Sequence, residues 1–182
     1  MTYFVPFLLD LFPLLVFVIL DSLGKMRYAL IGATAAAGFE LIYSYLTIGY
    51  LDSFSLVFAS IILVFAAISL YFNNPIFFRL KPALIGSITG LILIITSVMD
   101  KPALLAMADH YSTLLPEEMK RVLENQSARA QLKRANGVIG LGLIFHAFFT
   151  TWIAIKSGRW AWFFVSVPGL YVTIALCVWA SI

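Results

Sequence analysis

Apolar residues in this chain neither alternate with polar ones nor keep to one helical face; they run on without a break. Six such stretches, at about Tyr3–Leu20, Tyr28–Ile48, Phe54–Phe72, Pro82–Met99, Gly137–Ile155 and Trp160–Ala180, take up most of the 182 residues. A hydrocarbon core about 30 Å thick is crossed by roughly 20 apolar residues in a helix, and each stretch is about that long. Segments such as Leu56–Leu70 and Leu84–Ile95 are apolar on every side, unlike the alternating strands of a membrane β-barrel. A helix also satisfies its own backbone polar groups where no water can. The pattern predicts an all-α polytopic membrane protein, a bundle of six transmembrane helices.

The polar punctuation between stretches is mostly short: Asp21–Arg27, Gly49–Ser53, Asn73–Lys81 and Lys156–Arg159, with Asn73-Asn74-Pro75 the strongest breaker. The first stretch contains Pro6, Asp10 and Pro13, and no Lys or Arg precedes Lys25. A signal peptide has a basic start, so the expectation is an uncleaved helix, kinked at Pro13 or only partly inserted. One connection, 100–136, is long. Its second half, Pro116–Arg134, predicts a charged connecting helix, with Pro116 at the first position. Glu117 and Glu118 suit the positive end of its dipole, and Lys133 and Arg134 the negative end. Glu117 and Arg121, four residues apart, are placed to pair. The first half, Lys101–Ala108, is more apolar and suits the membrane surface. The expected organisation is a single membrane domain over 1–182, with 100–136 as its extramembrane connection.

Composition strengthens this picture. Hydrophobic residues make up 62% of the chain and charged residues 12%, and the mean hydropathy is +0.99. A soluble domain of this size has no interior large enough to hide so much apolar surface. Charge does not orient the bundle. Six crossings place Lys101, Lys120, Arg121, Arg129, Lys133 and Arg134 on one side and Lys25, Arg27, Arg79, Lys81, Lys156 and Arg159 on the other. The positive-inside rule is tied. The single Cys177 reads as a small buried hydrophobe.

Ionisable groups at membrane depth are expensive and are functional candidates by default. Glu40 lies mid-way along the second stretch, His146 mid-way along the fifth, and Asp10 inside the first. A carboxylate and an imidazole at similar depth form either a proton relay or a site for a cationic solute. The alternative is structural: Glu40 protonated, or hydrogen-bonded to Tyr43, Thr47 or a neighbouring helix, and Asp10 near the interface. Small residues speak of packing. Gly86 and Gly90 form a GxxxG, Gly32–Gly38 is rich in small residues, and Gly137, Gly140 and Gly142 line the fifth stretch. They fit close approach within the bundle at least as well as pairing between copies, so a homo-oligomer stays open. Tyr50, Tyr71, Trp152, Trp160, Trp162 and Trp179 fit an interfacial belt. No catalytic triad, HExxH, Cys/His cluster, P-loop or basic nucleic-acid surface occurs. The expectation is therefore no enzyme activity, no cofactor, no metal and no nucleic-acid partner.

One segment is more particular. Leu70-Tyr-Phe-Asn-Asn-Pro-Ile-Phe-Phe-Arg-Leu-Lys-Pro-Ala-Leu-Ile85 resembles a turn between spans in the bacterial intracellular septation protein A family, with Asn73, Asn74, Arg79, Lys81 and Pro82 as the matching residues. Leu9–Phe17, Leu41–Ser44 and Lys101–Leu104 followed by Met107 match in the same order. The chain departs from the family in its longer helix at 116–134 and in the reduced basic turn at Thr47–Asp52. The family's lead into the fifth span survives only as Leu132–Asn136. The resemblance implies a non-catalytic inner-membrane protein in envelope maintenance and septation, touching membrane lipids and division and wall-elongation proteins. It also implies that both termini and the long connection are cytoplasmic. The competing reading is a small proton-linked transporter or lipid-handling protein using Glu40, His146 and Asp10.

Overall fold

The computed structural model describes residues 4–48, 53–110 and 117–182, with side chains from Pro13 onward except at 44, 47, 48, 53–55, 57, 58 and 117–119. Among these residues there are nine helices and no strand. They are α1 (Phe4–Ser22), α2 (Met26–Ile48), α3 (Ser53–Tyr71), α4 (Ile76–Val98), α5 (Ala103–His110), α6 (Glu117–Glu124), α7 (Gln126–Lys156), α8 (Arg159–Ser166) and α9 (Pro168–Ser181). Helices α1 to α4 and α7 fall on the first five apolar stretches, and α8 and α9 share the sixth. Among the described residues, Ile76–Val98, Gln126–Lys156 and the run Arg159–Ser181 are long and apolar enough to cross a membrane. The 23 residues of α4 rise about 35 Å at 1.5 Å each, more than a hydrocarbon core needs. Leu84, Ile88, Leu91, Ile92 and Ile95 of α4 are each about half exposed. Such a stripe is unfavourable against water and costs nothing against lipid tails. This is a helical membrane protein.

Three boundaries differ from the sequence reading, each for a local reason. The connecting helix expected over 116–134 is two pieces. Helix α6 stops at Glu124, and residues 126–134 form the first turns of the 31-residue α7. Asn125 makes the break: its Oδ1 accepts the Ser127 N–H at 2.9 Å and its carbonyl accepts the Arg129 N–H at 3.1 Å, as an N-cap does. Pro116 and the side chains of Glu117 and Glu118, with the expected Glu117–Arg121 pair, lie outside the described residues. So does most of the 49–53 turn.

The polar turn expected at 73–81 is confined to residues 72–75. Asn73 adopts a left-handed φ of 49°, and Asn74 Oδ1 accepts the Ile76 N–H at 3.0 Å. Asn74 thus caps α4, with Pro75 at the first helical position, where its missing N–H costs nothing. Arg79, Lys81 and Pro82 consequently belong to the helix. The sixth stretch breaks at Val167 (φ −110°, ψ −58°), because Pro168 supplies no N–H and its ring clashes with the carbonyl four residues back. Pro13, by contrast, lies inside an uninterrupted α1.

The chain divides into two compact units, 1–82 with 150–167, and 83–149 with 168–182. In the first, α1 packs on α2 and α8, and α2 on α3. Its core joins Leu14, Phe17 and Val18 of α1 to Ala29, Leu30, Ala33 and Ala37 of α2, with Phe78, Trp162 and Phe163. Ala29, Ala33 and Ala37 recur every four residues and give α2 a flat face. In the second unit, α4 and α7 touch backbone to backbone. A Cβ added at Gly90 would come 2.8 Å from the Gly140 carbonyl oxygen, and one added at Gly140 would come 3.1 Å from that of Gly90. The GxxxG glycine thus serves packing within the chain. Asn136, fully buried, locks the same unit. Its Nδ2 donates to the Leu93 carbonyl at 2.7 Å and to Thr96 Oγ1 at 3.3 Å, and its Oδ1 accepts the Leu104 N–H at 3.0 Å.

Candidate functional site

Asp21 ends the apolar run of α1, and the packing of Phe17 and Val18 carries it inward: its side chain is 2% exposed. Two arginines of the same unit meet it. Arg79 of α4 donates from Nη2 to Asp21 Oδ2 at 2.5 Å, and Nε of Arg159, at the start of α8, lies 2.9 Å from the same oxygen. Early helix formation at Ile76 is what brings Arg79 here. An aromatic floor holds the cluster. Trp162, wholly buried, donates its indole N–H to the Arg79 carbonyl at 2.9 Å. The Phe17 ring lies 4.3 Å from that of Phe78 and 6.0 Å, edge on, from that of Trp162.

A carboxylate this deep is tolerated only when paired and hydrogen-bonded. Two guanidinium groups on one carboxylate over-compensate it and leave one positive charge. The Arg79 Nε–H is also buried without a hydrogen-bond partner. Beside the cluster opens a pocket of about 520 Å³ lined by Ser22, Arg79, Ser157, Gly158, Arg159 and Trp160. What this arrangement offers chemically is fixed positive charge and hydrogen-bond donors at the ends of membrane helices. Among the described residues no group of three or more His, Cys, Asp and Glu is gathered to hold a metal.

The residues singled out from sequence are distributed differently. Glu40, half-buried on α2, belongs to the first unit, and its charge acts on Lys81, which is 7% exposed with its ammonium 5.8 Å from the Phe78 ring centre. His146, 5% exposed on α7, belongs to the second unit. The two therefore do not share a packed unit. The Asp10 side chain lies outside the described residues. Of the family-like residues, Asn73 and Asn74 form the turn, Arg79 enters the cluster, Lys81 is buried with its ammonium near the Phe78 ring, and Pro82 sits within α4.

Kinship is carried by the sequence as a whole. The model of the family described as intracellular septation protein A matches residues 5–178, nearly the full chain. The chain belongs to the intracellular septation protein A family. Among its relatives, the inner membrane-spanning protein YciB of Cronobacter sakazakii (strain ATCC BAA-894) is 31% identical over 108 residues, covering 59% of this chain and 61% of the relative. The YciB of Sodalis glossinidius (strain morsitans) is 29% identical over 102 residues, covering 56% and 58%. The chain thus spans about three fifths of the length of these curated relatives. No solved structure matches.

In this member of the septation protein A family, Asp21 reads in the sequence as the first residue of a polar turn. The signal available was an acid at the very end of an apolar run, with Arg79 and Arg159 at the starts of two later ones.

Proposed function

We propose that this protein is a non-catalytic component of the bacterial inner membrane that acts in envelope maintenance and septation, through contacts with division and wall-elongation proteins. The observation that carries this reading is the family match over residues 5–178, with relatives named for spanning the inner membrane. In this reading the chain crosses six times, by α1, α2, α3, α4, α7 and the α8–α9 pair. Both termini and the connection bearing α5 and α6 then lie in the cytoplasm. The start of that connection's second half suits a partner surface. Arg121, Val122 and Glu124 of α6 and Lys133 and Arg134 of α7 are exposed, side chains of both charges with one apolar residue among them.

Photocrosslinking residues placed along 120–134 in the native host test the contacts. Recovery of division or wall-synthesis membrane proteins is expected, and capture of lipid alone would remove the scaffold role. A topology reporter fused after Glu124 tests the orientation. It should report from the cytoplasm, and a signal from the other side would invert the arrangement.

A further inference from the structure

The pocket beside Asp21 has the features of an anion site, and this holds independently of the septation reading. Its wall carries two arginines that share a single carboxylate, so one positive charge faces the cavity uncompensated among the described residues. Arg159 is 41% exposed along its side chain, and its guanidinium is anchored only through Nε, which leaves its terminal nitrogens as donors. The pocket also holds the start of α8. Gly158 occupies the N-cap position in extended conformation (φ −67°, ψ 163°) and has no side chain to cap the helix. The N–H groups of Arg159 and Trp160 therefore point outward from a positive dipole end. Ser157 adds a hydroxyl to the lining, while the Ser22 hydroxyl already donates to the Ile19 carbonyl at 2.6 Å. Buried Asp21 and Trp162 support it, together with Arg79, whose Nε–H is a buried donor without a partner.

Paired guanidinium groups, helix N–H groups without an intrahelical acceptor and a hydroxyl are the donor set that recognises phosphate oxygens. Position narrows the source. Arg159 begins the membrane-length run Arg159–Ser181, and Trp160, 47% exposed, is the kind of side chain that sits at headgroup level. We propose that this pocket binds the phosphate group of an anion at the membrane surface, the fitting form being an acidic phospholipid headgroup.

The site can be blocked without removing its scaffold. A Cβ added at Gly158 meets nothing within 4 Å, and Asp is among the preferred N-cap residues. Gly158→Asp should therefore fold at least as well as the parent while placing its own carboxylate on the α8 N–H groups. Arg129→Gln removes one positive charge in the other unit and serves as the charge-matched control. The experiment is native mass spectrometry and thermal melting of the full chain in neutral detergent, with phosphatidylglycerol, phosphatidylcholine or inorganic phosphate. The parent and Arg129→Gln should prefer phosphatidylglycerol to phosphatidylcholine by on the order of tenfold, the scale of one charge-assisted contact. Gly158→Asp should lose that preference with an undiminished melting temperature. Competition by inorganic phosphate would show that the phosphate group itself is read; retention of the preference in excess phosphate would assign the site to the lipid. Equal binding of the two lipids by the parent, or an unchanged preference in Gly158→Asp, would overturn the proposal.

Discussion

The two units of this protein solve one problem in opposite ways. Between helices in lipid there is no hydrophobic drive to associate, because the surroundings are as apolar as the side chains. The first unit meets this with charge on an aromatic base: Asp21 with Arg79 and Arg159, set on Phe17, Phe78 and Trp162. The second removes side chains altogether, so that α4 and α7 meet at Gly90 and Gly140, and it adds one amide, Asn136, that is hydrogen-bonded on both of its ends. Charge concentrates adhesion at a point and leaves surplus valence for a ligand. Close packing spreads adhesion along a seam and leaves nothing over. The pocket lies where the first strategy operates.

If that contrast is right, the largest single-residue effect belongs to the charge cluster. Asp21→Asn keeps the shape and removes the one charge that both arginines share. Stripping one partner from a buried ion pair costs about 3 to 5 kcal/mol, and thermal melting of the purified chain in detergent measures it. Arg159→Gln made in the Asp21→Asn background should then cost far less than in the parent, because the two positions are coupled. Additive losses would mean that the pair does not hold the unit.

The seam of the second unit predicts a finer split within a single motif. A methyl at Gly90 would lie 2.8 Å from the Gly140 carbonyl oxygen, whereas one at Gly86 meets Ala147 at an ordinary 3.7 Å. Gly90→Ala should destabilise by about 1 to 3 kcal/mol, the cost of overpacking. Gly86→Ala should be neutral or stabilising by up to about 1 kcal/mol, the helix preference for Ala over Gly. Equal outcomes at the two glycines would sink the backbone-contact account. Asn136→Ala tests the amide: it leaves the Leu104 N–H and the Leu93 carbonyl without their side-chain partner, at about 1 to 3 kcal/mol for a buried group left unsatisfied. Helix α5 should loosen first, seen as faster amide exchange at Leu104.

The helix positions were legible because length and unbroken hydrophobicity report on a short-range property. The turn at 72–75 was legible for the same reason, since Asn74 and Pro75 act on their immediate neighbours. The break at Pro168 carried an equally local signal in the Pro168-Gly169 pair, which the apolar run around it masked. The Asn125 break was hidden by helix-favouring charge patterning on both sides, which gave the cap no contrast. The site itself was not legible. Asp21 and Arg79 are 58 residues apart, and only the packing of α1 against α2 and α8 tells a terminal acid turned inward from one left in solvent. Glu40 is conspicuous as a carboxylate in mid-span, yet the positive charge it acts on, Lys81, belongs by sequence to a turn and enters α4 only because Asn74 caps that helix early.

The smallest effect should come from the fork between Asp109 of α5 and Arg129, which sets the contrast at its outer limit, an exposed ion pair. Arg129 Nη1 and Nη2 meet the two carboxylate oxygens at 2.8 and 2.9 Å, with both side chains well exposed. The hydrogen bond from Arg129, with its positive charge, holds the Asp109 carboxyl below its ordinary value. A depressed carboxyl stabilises the fold above the unfolded-state value of about 4 and loses that contribution as pH falls through the lowered one. Because the pair is exposed, its contribution is screened and small, so the titration itself is the better readout than a melt. Carbon-detected NMR of the Asp109 carboxyl should give a midpoint below that of a free aspartate, rising toward it in Arg129→Gln. An identical midpoint in both would mean that the fork does not persist in solution, and that α5 is positioned by Asn136 rather than by charge.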